Sequence, residues 1–207
     1  MSSDNKVVIV DYKMGNLRSV QKAFQSVGCE AIISNDAELI RESHKIVLPG
    51  VGAFGDGMKN LQDMGLDKLL NELVLVKKVP FLGICLGMQL VCKKSYEHGE
   101  NKGLDWVDAE VVRFNVDEEG LKVPHVGWNT VKRNETCLLF KGIPNYKDFY
   151  FVHSYFVKVN EEVVTSVSIH GIEFVSSIQK GNIYAVQFHP EKSQVLGLKI
   201  IKNFLSL

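Results

Sequence analysis
The stretch VPFLGICLGMQLV, residues 79–91, runs from an apolar strand pattern through Gly83-Ile84-Cys85-Leu86-Gly87 into the apolar start of a helix. A core strand has no need for two glycines around a cysteine. A reactive side chain held on a sharp strand-to-helix turn does need small neighbours, because the backbone is crowded there. Hydrolases that use serine show the same spacing as G-x-S-x-G. The position also suits a thiol: free backbone N–H groups at a helix start can bind an oxyanion, and the positive helix end favours thiolate. A small buried hydrophobe, the ordinary role of a free cysteine, would explain neither glycine. Cys29, Cys92 and Cys137 fit that ordinary role.

Outward from this turn, the first half alternates strand and helix. Lys6 to Asp11 is a short continuous apolar run, as in a strand buried on both faces. Asn16 to Val27 has apolar residues at helical spacing, with Gly28 as its stop. Cys29 to Ser34 reads as a strand, Ala37 to Ser43 as a short helix, and Lys45 to Leu48 as a third strand ending in PGVGAFGDG. Helical pattern resumes from Met58 to Lys78, broken near Gly65; Pro80 to Ile84 is the fourth strand and Leu86 to Lys94 its helix. This order predicts a parallel α/β sheet with helices on both faces. Ligands of such sheets bind beyond the carboxyl ends of the strands. Cys85 and the PGVG loop both belong there.

The second half is β-rich. Val107 to Phe114, Thr130 to Arg133, Phe149 to Val159, Val163 to Ile169, Phe174 to Gln179 and Ile183 to Phe188 read as strands. Turn residues at 117–120, 142–145 and 180–182 separate them, and antiparallel pairing is expected among them. Gln194 to Leu205 closes the chain as an amphipathic helix. The 207 residues suit one domain, 1–207, with one substantial core.

Lys plus Arg equals Asp plus Glu, at 24 each, so nothing points to a nucleic-acid or anionic-membrane partner. The opening MSSDNKVVIVDY is without the cationic start and long apolar run of a signal peptide. No segment approaches the ~18 apolar residues of a membrane-spanning helix. Four cysteines without CxxC spacing fit reduced thiols, and a cytoplasmic protein is expected. No histidine pair has metal-site spacing, so neither a metal nor another cofactor is expected.

A cysteine nucleophile needs a histidine base oriented by a third group. Of His44, His98, His125, His153, His170 and His189, the last ends the apolar strand of GNIYAVQFHPEKS, on the rim expected for Cys85. Glu191, two residues on, can accept from its ring. His44 and His98 sit in polar contexts and read as solvated. The PGVGAFGDG run does not match GxxxxGK[ST]; its backbone N–H groups can serve as oxyanion donors opposite the turn, beyond the bland reading as a glycine-rich bend.

Together GICLGMQ and QFHPE resemble the nucleophile and His-Glu motifs of the class I (triad) glutamine amidotransferases. The resemblance implies a flavodoxin-like three-layer fold and a Cys85–His189–Glu191 triad hydrolysing glutamine to glutamate and ammonia. DYKMGNLRSV, LPGVGAFGDGM, PHVGWN, FYFVHSY and FHPEKS are similar to the subfamily of glutaminase subunits that work in imidazole glycerol phosphate synthesis. That similarity runs from about Val7 to Phe204. The departures are Val126 where Met is expected and His170 where Tyr is usual before Gly171. The resemblance implies oxyanion donors at Val51 and Leu86, and a glutamine pocket from Gly52, Gln89, Glu97, Ser154 and Tyr155. It also implies a heterodimer with a (β/α)8-barrel cyclase, met through Asn16, Trp128, Asn129, Tyr150 and Lys192. Bland alternatives make Glu97 a solvated helix-end residue, and Trp128 and Tyr150 ordinary core. Three other functions compete: a paralogue feeding ammonia to cell-surface sugar modification, a catalytically silent binding subunit, and a cysteine hydrolase or protease of related fold.

Overall fold
A computed structural model describes residues 6–116, 120–134 and 137–207. Of the turn expected at 117–120, only Gly120 lies among the described residues. The first half contains β1 (Val7–Val10), α1 (Leu17–Ser26), β2 (Ile32–Ser34), α2 (Ala37–Arg41), β3 (Lys45–Gly50), α3 (Phe54–Asp63), α4 (Leu66–Leu70), β4 (Phe81–Cys85) and α5 (Leu86–Leu90). Asn16 caps α1 by accepting from the Ser19 N–H, and Asp36 caps α2. The helical pattern from residue 58 breaks at Gly65, which takes φ +68°, a conformation open to glycine at little cost.

The second half contains β5 (Cys92–Ser95), β6 (Asn101–Lys102), β7 (Val107–Arg113), β8 (His125–Arg133), β9 (Lys147–His153), β10 (Tyr155–Val159), β11 (Val164–His170), β12 (Ile172–Lys180), β13 (Ile183–Val186) and α6 (Gln194–Leu205). The order β2-β1-β3-β4-β13 is parallel throughout. From β13 outward the sheet turns antiparallel through β12, β10 and β7, and β8, β9 and β11 form an antiparallel wing.

β1, β3, β4 and β13 are buried at every residue, as their continuous apolar runs predict. Alternation along the strands divides the core. Val8, Val10, Ile46 and Leu48 pack on the face covered by Met58, Leu61 and Leu69 of α3 and α4. Val7, Ile9, Leu82 and Ile84 pack on the other, with Val20 and Phe24 of α1 and Ile200, Ile201 and Phe204 of α6. Helices therefore cover both faces.

Several boundaries differ from the sequence reading: α3 starts at Phe54 rather than Met58, β8 at His125 rather than Thr130, and two further differences shape the site. The helix expected over Leu86–Lys94 ends at Leu90, and the chain enters β5, parallel to β7. The 103–107 segment takes over the freed carbonyls: Leu104 N–H donates to Leu90 O and Trp106 N–H to Val91 O, both at 2.9 Å. Gly103 allows the approach, because a Cβ there would lie 2.0 Å from Cys92 O. The run Phe149–Val159 is two strands broken at Ser154. β9 pairs with β8, whereas β10 pairs with β7 and β12.

Candidate active site
Three adjacent parallel strands carry the site at their carboxyl ends. β3 delivers Gly50-Val51-Gly52, β4 ends on Cys85, and β13 leads through Gln187 and Phe188 to His189. Cys85 has φ +53° and ψ −107°, a conformation that costs a side-chain-bearing residue of order 1–3 kcal/mol. Both glycines of the turn have steric reasons. A Cβ on Gly83 would lie 2.7 Å from Gly87 O, and one on Gly87 1.7 Å from Leu48 O. Five-residue α5 is too short for a full helix dipole, so the charge near the thiol comes chiefly from side chains.

Those side chains are close. His189 Nδ1 meets Glu191 Oε1 at 2.7 Å, both nearly buried. His189 Nε2 is buried without a partner in hydrogen-bond geometry, and Cys85 acts on the ring electrostatically. Burial opposes a charged ring, but Cys85 and Glu191 outweigh it and raise the His189 pKa to about 10. Gln187 Nε2 points at Cys85 Sγ from 3.6 Å, and the Ser193 hydroxyl fixes the His189 backbone by donating to its carbonyl at 2.6 Å.

A cavity of about 450 Å³ opens on Cys85. Val51, Gly52, Leu86, Gln89, Glu97, Ser154 and Tyr155, all expected around the site, line it. Glu97 is half-buried and its Oε2 accepts the Phe54 N–H at 2.6 Å. It therefore supplies the first turn of α3, where Ala53 offers no side-chain cap. That placement overturns the reading of Glu97 as a solvated helix end. Gln89 Nε2 donates to both Tyr155 O and Gln187 Oε1 at 3.1 Å. Among the described residues no three His, Cys, Asp or Glu side chains come together in a way that could hold a metal ion.

The residues expected at a partner interface lie along one side of this rim. Asn16 and Lys192 adjoin His189 and Glu191 behind the PGVG loop. Trp128 faces Tyr150 across β8 and β9, and Lys192 Nζ lies 5.6 Å from the Tyr150 ring. Trp128 is 49% exposed and Tyr150 only half-buried, so neither is ordinary core. Asn129 turns its amide inward, to His125 and Ile169 O.

The sequence reading missed Gln187, Ser193 and Tyr12. Gln187 had a signal, a polar residue interrupting IYAVQF. Tyr12 had none. Its buried hydroxyl lies beneath Gly50, where a Cβ would come within 2.0 Å of it. Burial, and then the Cys85 charge, pushes the Tyr12 phenol upward.

The residue pattern of the class-I glutamine amidotransferases matches residues 8–206. The chain belongs to that family. Within it, the chain is 48% identical to imidazole glycerol phosphate synthase subunit HisH 1 of Campylobacter jejuni, covering 97% of this chain and 100% of that one. It is 50% identical to subunit HisH of Moorella thermoacetica, covering 96% and 93%. Among solved structures, a GMP synthase protein from Thermoplasma acidophilum superposes with a TM-score of 0.75 at 21% identity, covering 100% of this chain and 94% of that one. That likeness concerns the fold.

Proposed function
We propose that this chain hydrolyses L-glutamine to glutamate and ammonia as the glutaminase subunit of an imidazole glycerol phosphate synthase, in the cytoplasm. The observation that carries the chemistry is Cys85 on its strained turn beside the buried His189–Glu191 pair. The relatives' names carry the pathway.

Cys85 thiolate attacks the side-chain amide carbon of glutamine. The Leu86 N–H and the Val51 N–H stabilise the oxyanion; losing one such donor typically costs ~3 kcal/mol. As the C–N bond breaks, His189 gives its proton to the departing ammonia and a γ-glutamyl thioester remains. The neutral ring then takes a proton from water, which attacks the thioester and releases glutamate. Glu191 holds the ring and balances its charge. Gly52, Gln89, Glu97, Ser154 and Tyr155 hold glutamine, with the Glu97 carboxylate facing the substrate ammonium. Ammonia passes to a (β/α)8-barrel cyclase subunit, bound as a heterodimer across Asn16, Trp128, Asn129, Tyr150 and Lys192. There it converts the ribotide PRFAR to imidazole glycerol phosphate and aminoimidazole carboxamide ribotide.

Glutamate release, measured alone and with the cyclase plus its ribotide, tests this. Strong activation that Cys85→Ala abolishes is the expected result. Turnover undiminished in Cys85→Ala would overturn the assignment of the nucleophile. Methanococcus maripaludis carries numbered HisH 1 and HisH 2 proteins, 48% and 44% identical to this chain. The alternative acceptor is a partner that uses the ammonia for cell-surface sugar modification. Cys85-dependent hydrolysis insensitive to the cyclase and ribotide would select it.

A further inference from the structure
Two histidines outside the proposed triad are buried at the cavity: His153 lines it, and His125 backs His153. His125 on β8 and His153 at the end of β9 are cross-strand partners, each 6% exposed, in a box of Phe114, Phe151 and Phe174. Their ring nitrogens are fully engaged. His153 Nδ1 lies 2.8 Å from Tyr155 O, and His153 Nε2 lies 2.9 Å from His125 Nδ1. His125 Nε2 lies 3.1 Å from Asn129 Nδ2.

Only one proton arrangement satisfies all three contacts. A carbonyl can only accept, so His153 Nδ1 carries a hydrogen and the neutral ring's Nε2 is bare. His125 Nδ1 must then donate to it, which leaves His125 Nε2 bare to accept from the Asn129 amide. Adding a proton to either ring would set two donors face to face. Burial acts in the same sense, holding His125 down to about 4 and His153 to about 3. His170 stacks on His125 at 4.3 Å and directs its Nε2 to Lys122 O, outside the chain of donors.

This chain ends at the glutamine pocket. Tyr155 O also accepts from Gln89 Nε2; Gln89 donates in turn to Gln187, and Gln187 to Cys85 Sγ. The His153 ring spans the break at Ser154, where the polypeptide leaves one strand pairing for another, and Ser154 and Tyr155 both line the cavity. An aromatic box alone could be filled by phenylalanine. Phenylalanine could not tie the two sides of this corner together.

We propose that His125 and His153 are positioning residues for glutamine hydrolysis: a one-directional hydrogen-bond chain from Asn129 to the Tyr155 carbonyl fixes the Ser154–Tyr155 corner and, through Gln89 and Gln187, the thiol. The inference rests on the glutaminase reading above.

The test compares His125→Phe, which keeps the aromatic volume and removes the donor, with His125→Asn, whose amide can replace Nδ1 as donor. Glutamine KM and kcat are measured in the complex with the cyclase subunit. Iodoacetamide alkylation of Cys85, with and without glutamine, is followed by peptide mapping. In His125→Phe, KM should rise about tenfold with a smaller fall in kcat, and glutamine should protect Cys85 less; His125→Asn should recover to within about threefold of wild type. Wild-type constants in His125→Phe, or equal impairment of both variants, would overturn the inference. If His125→Phe does not fold, Asn129→Asp reads the chain from its rim, by turning a donor into an acceptor against a bare nitrogen. Unchanged KM and protection there would overturn it equally. A wild-type complex that neither hydrolyses glutamine nor shows glutamine protection would overturn the glutaminase reading itself.

Discussion

The α-carbon of Gly87 is pressed against the carbonyl oxygen of Leu48, so that a Cβ at Gly87 would lie 1.7 Å from that oxygen. Leu48 lies on β3, hydrogen-bonded to the strand that delivers Cys85. Neither strand can retreat without opening the sheet. Gly87→Ala should therefore push the turn outward, destabilise the protein by about 3 kcal/mol, at the upper end of overpacking effects, and displace the thiol. A drop in melting temperature together with at least about tenfold slower hydrolysis is expected, since small misplacements of a nucleophile are costly. An alanine variant with wild-type melting and turnover would refute the steric account of this glycine.

Backbone strain at Cys85 gives a stability prediction of opposite sign. With φ +53° and ψ −107°, the residue occupies a region that glycine enters freely and alanine does not. Cys85→Gly and Cys85→Ala should both abolish hydrolysis, but the glycine variant should be the more stable by about 1 kcal/mol in urea denaturation. Equal stabilities would mean that the turn stores no strain.

The glycines at 83 and 87 made this turn legible in the sequence, because close approach of backbone leaves a residue-type trace. Alternation of apolar runs and helical spacing gave the parallel half for the same reason; β1, β3 and β4 lie within about two residues of where their runs are. The end of α5 was not legible. Val91 and Cys92 continue its apolar pattern, and only the distant 103–107 segment, which takes the Leu90 and Val91 carbonyls, makes them leave the helix. Ser154 broke a strand that periodicity left whole, because the break depends on which neighbours pair with each side. Gln187 and the His125–His153 pair were visible as polar residues in or beside apolar runs, but their partners lie far away in sequence. Tyr12 reads as an ordinary aromatic until Gly50 is placed over its hydroxyl.

The charge on His189 predicts the alkaline limb of activity. Cys85 and Glu191 overcome burial and raise the ring's pKa to about 10, above the ~6.5 of an unperturbed histidine. A raised pKa extends the protonated form upward in pH. In the proposed mechanism the acid for departing ammonia therefore stays loaded through neutral pH and is lost only as pH rises toward 10. Glu191→Gln removes one of the two groups that hold the proton. Its high-pH limb should move to lower pH, and kcat at neutral pH should fall about 10- to 100-fold, in the range of general acid–base effects. A pH–rate profile of kcat with an unshifted limb in Glu191→Gln would show that the carboxylate does not hold the ring's charge.

Glu97 has two separable tasks in the proposed site, and the variants can divide them. Its Oε2 accepts the Phe54 N–H at 2.6 Å, which completes the start of α3, while its side chain also borders the cavity that Cys85 faces. Glu97→Gln keeps an oxygen for the Phe54 N–H and removes the negative charge. Melting should stay close to wild type, whereas glutamine KM should rise about tenfold or more if the carboxylate meets the substrate ammonium, a charge-assisted contact. Glu97→Ala removes both, and should add a stability loss of about 1 kcal/mol from the uncapped helix start. The difference between the two variants in melting isolates the cap, and their shared KM effect isolates the charge. Wild-type KM in Glu97→Gln, alongside a destabilised Glu97→Ala, would leave Glu97 as a helix cap alone and move recognition of the substrate ammonium to another part of the cavity wall.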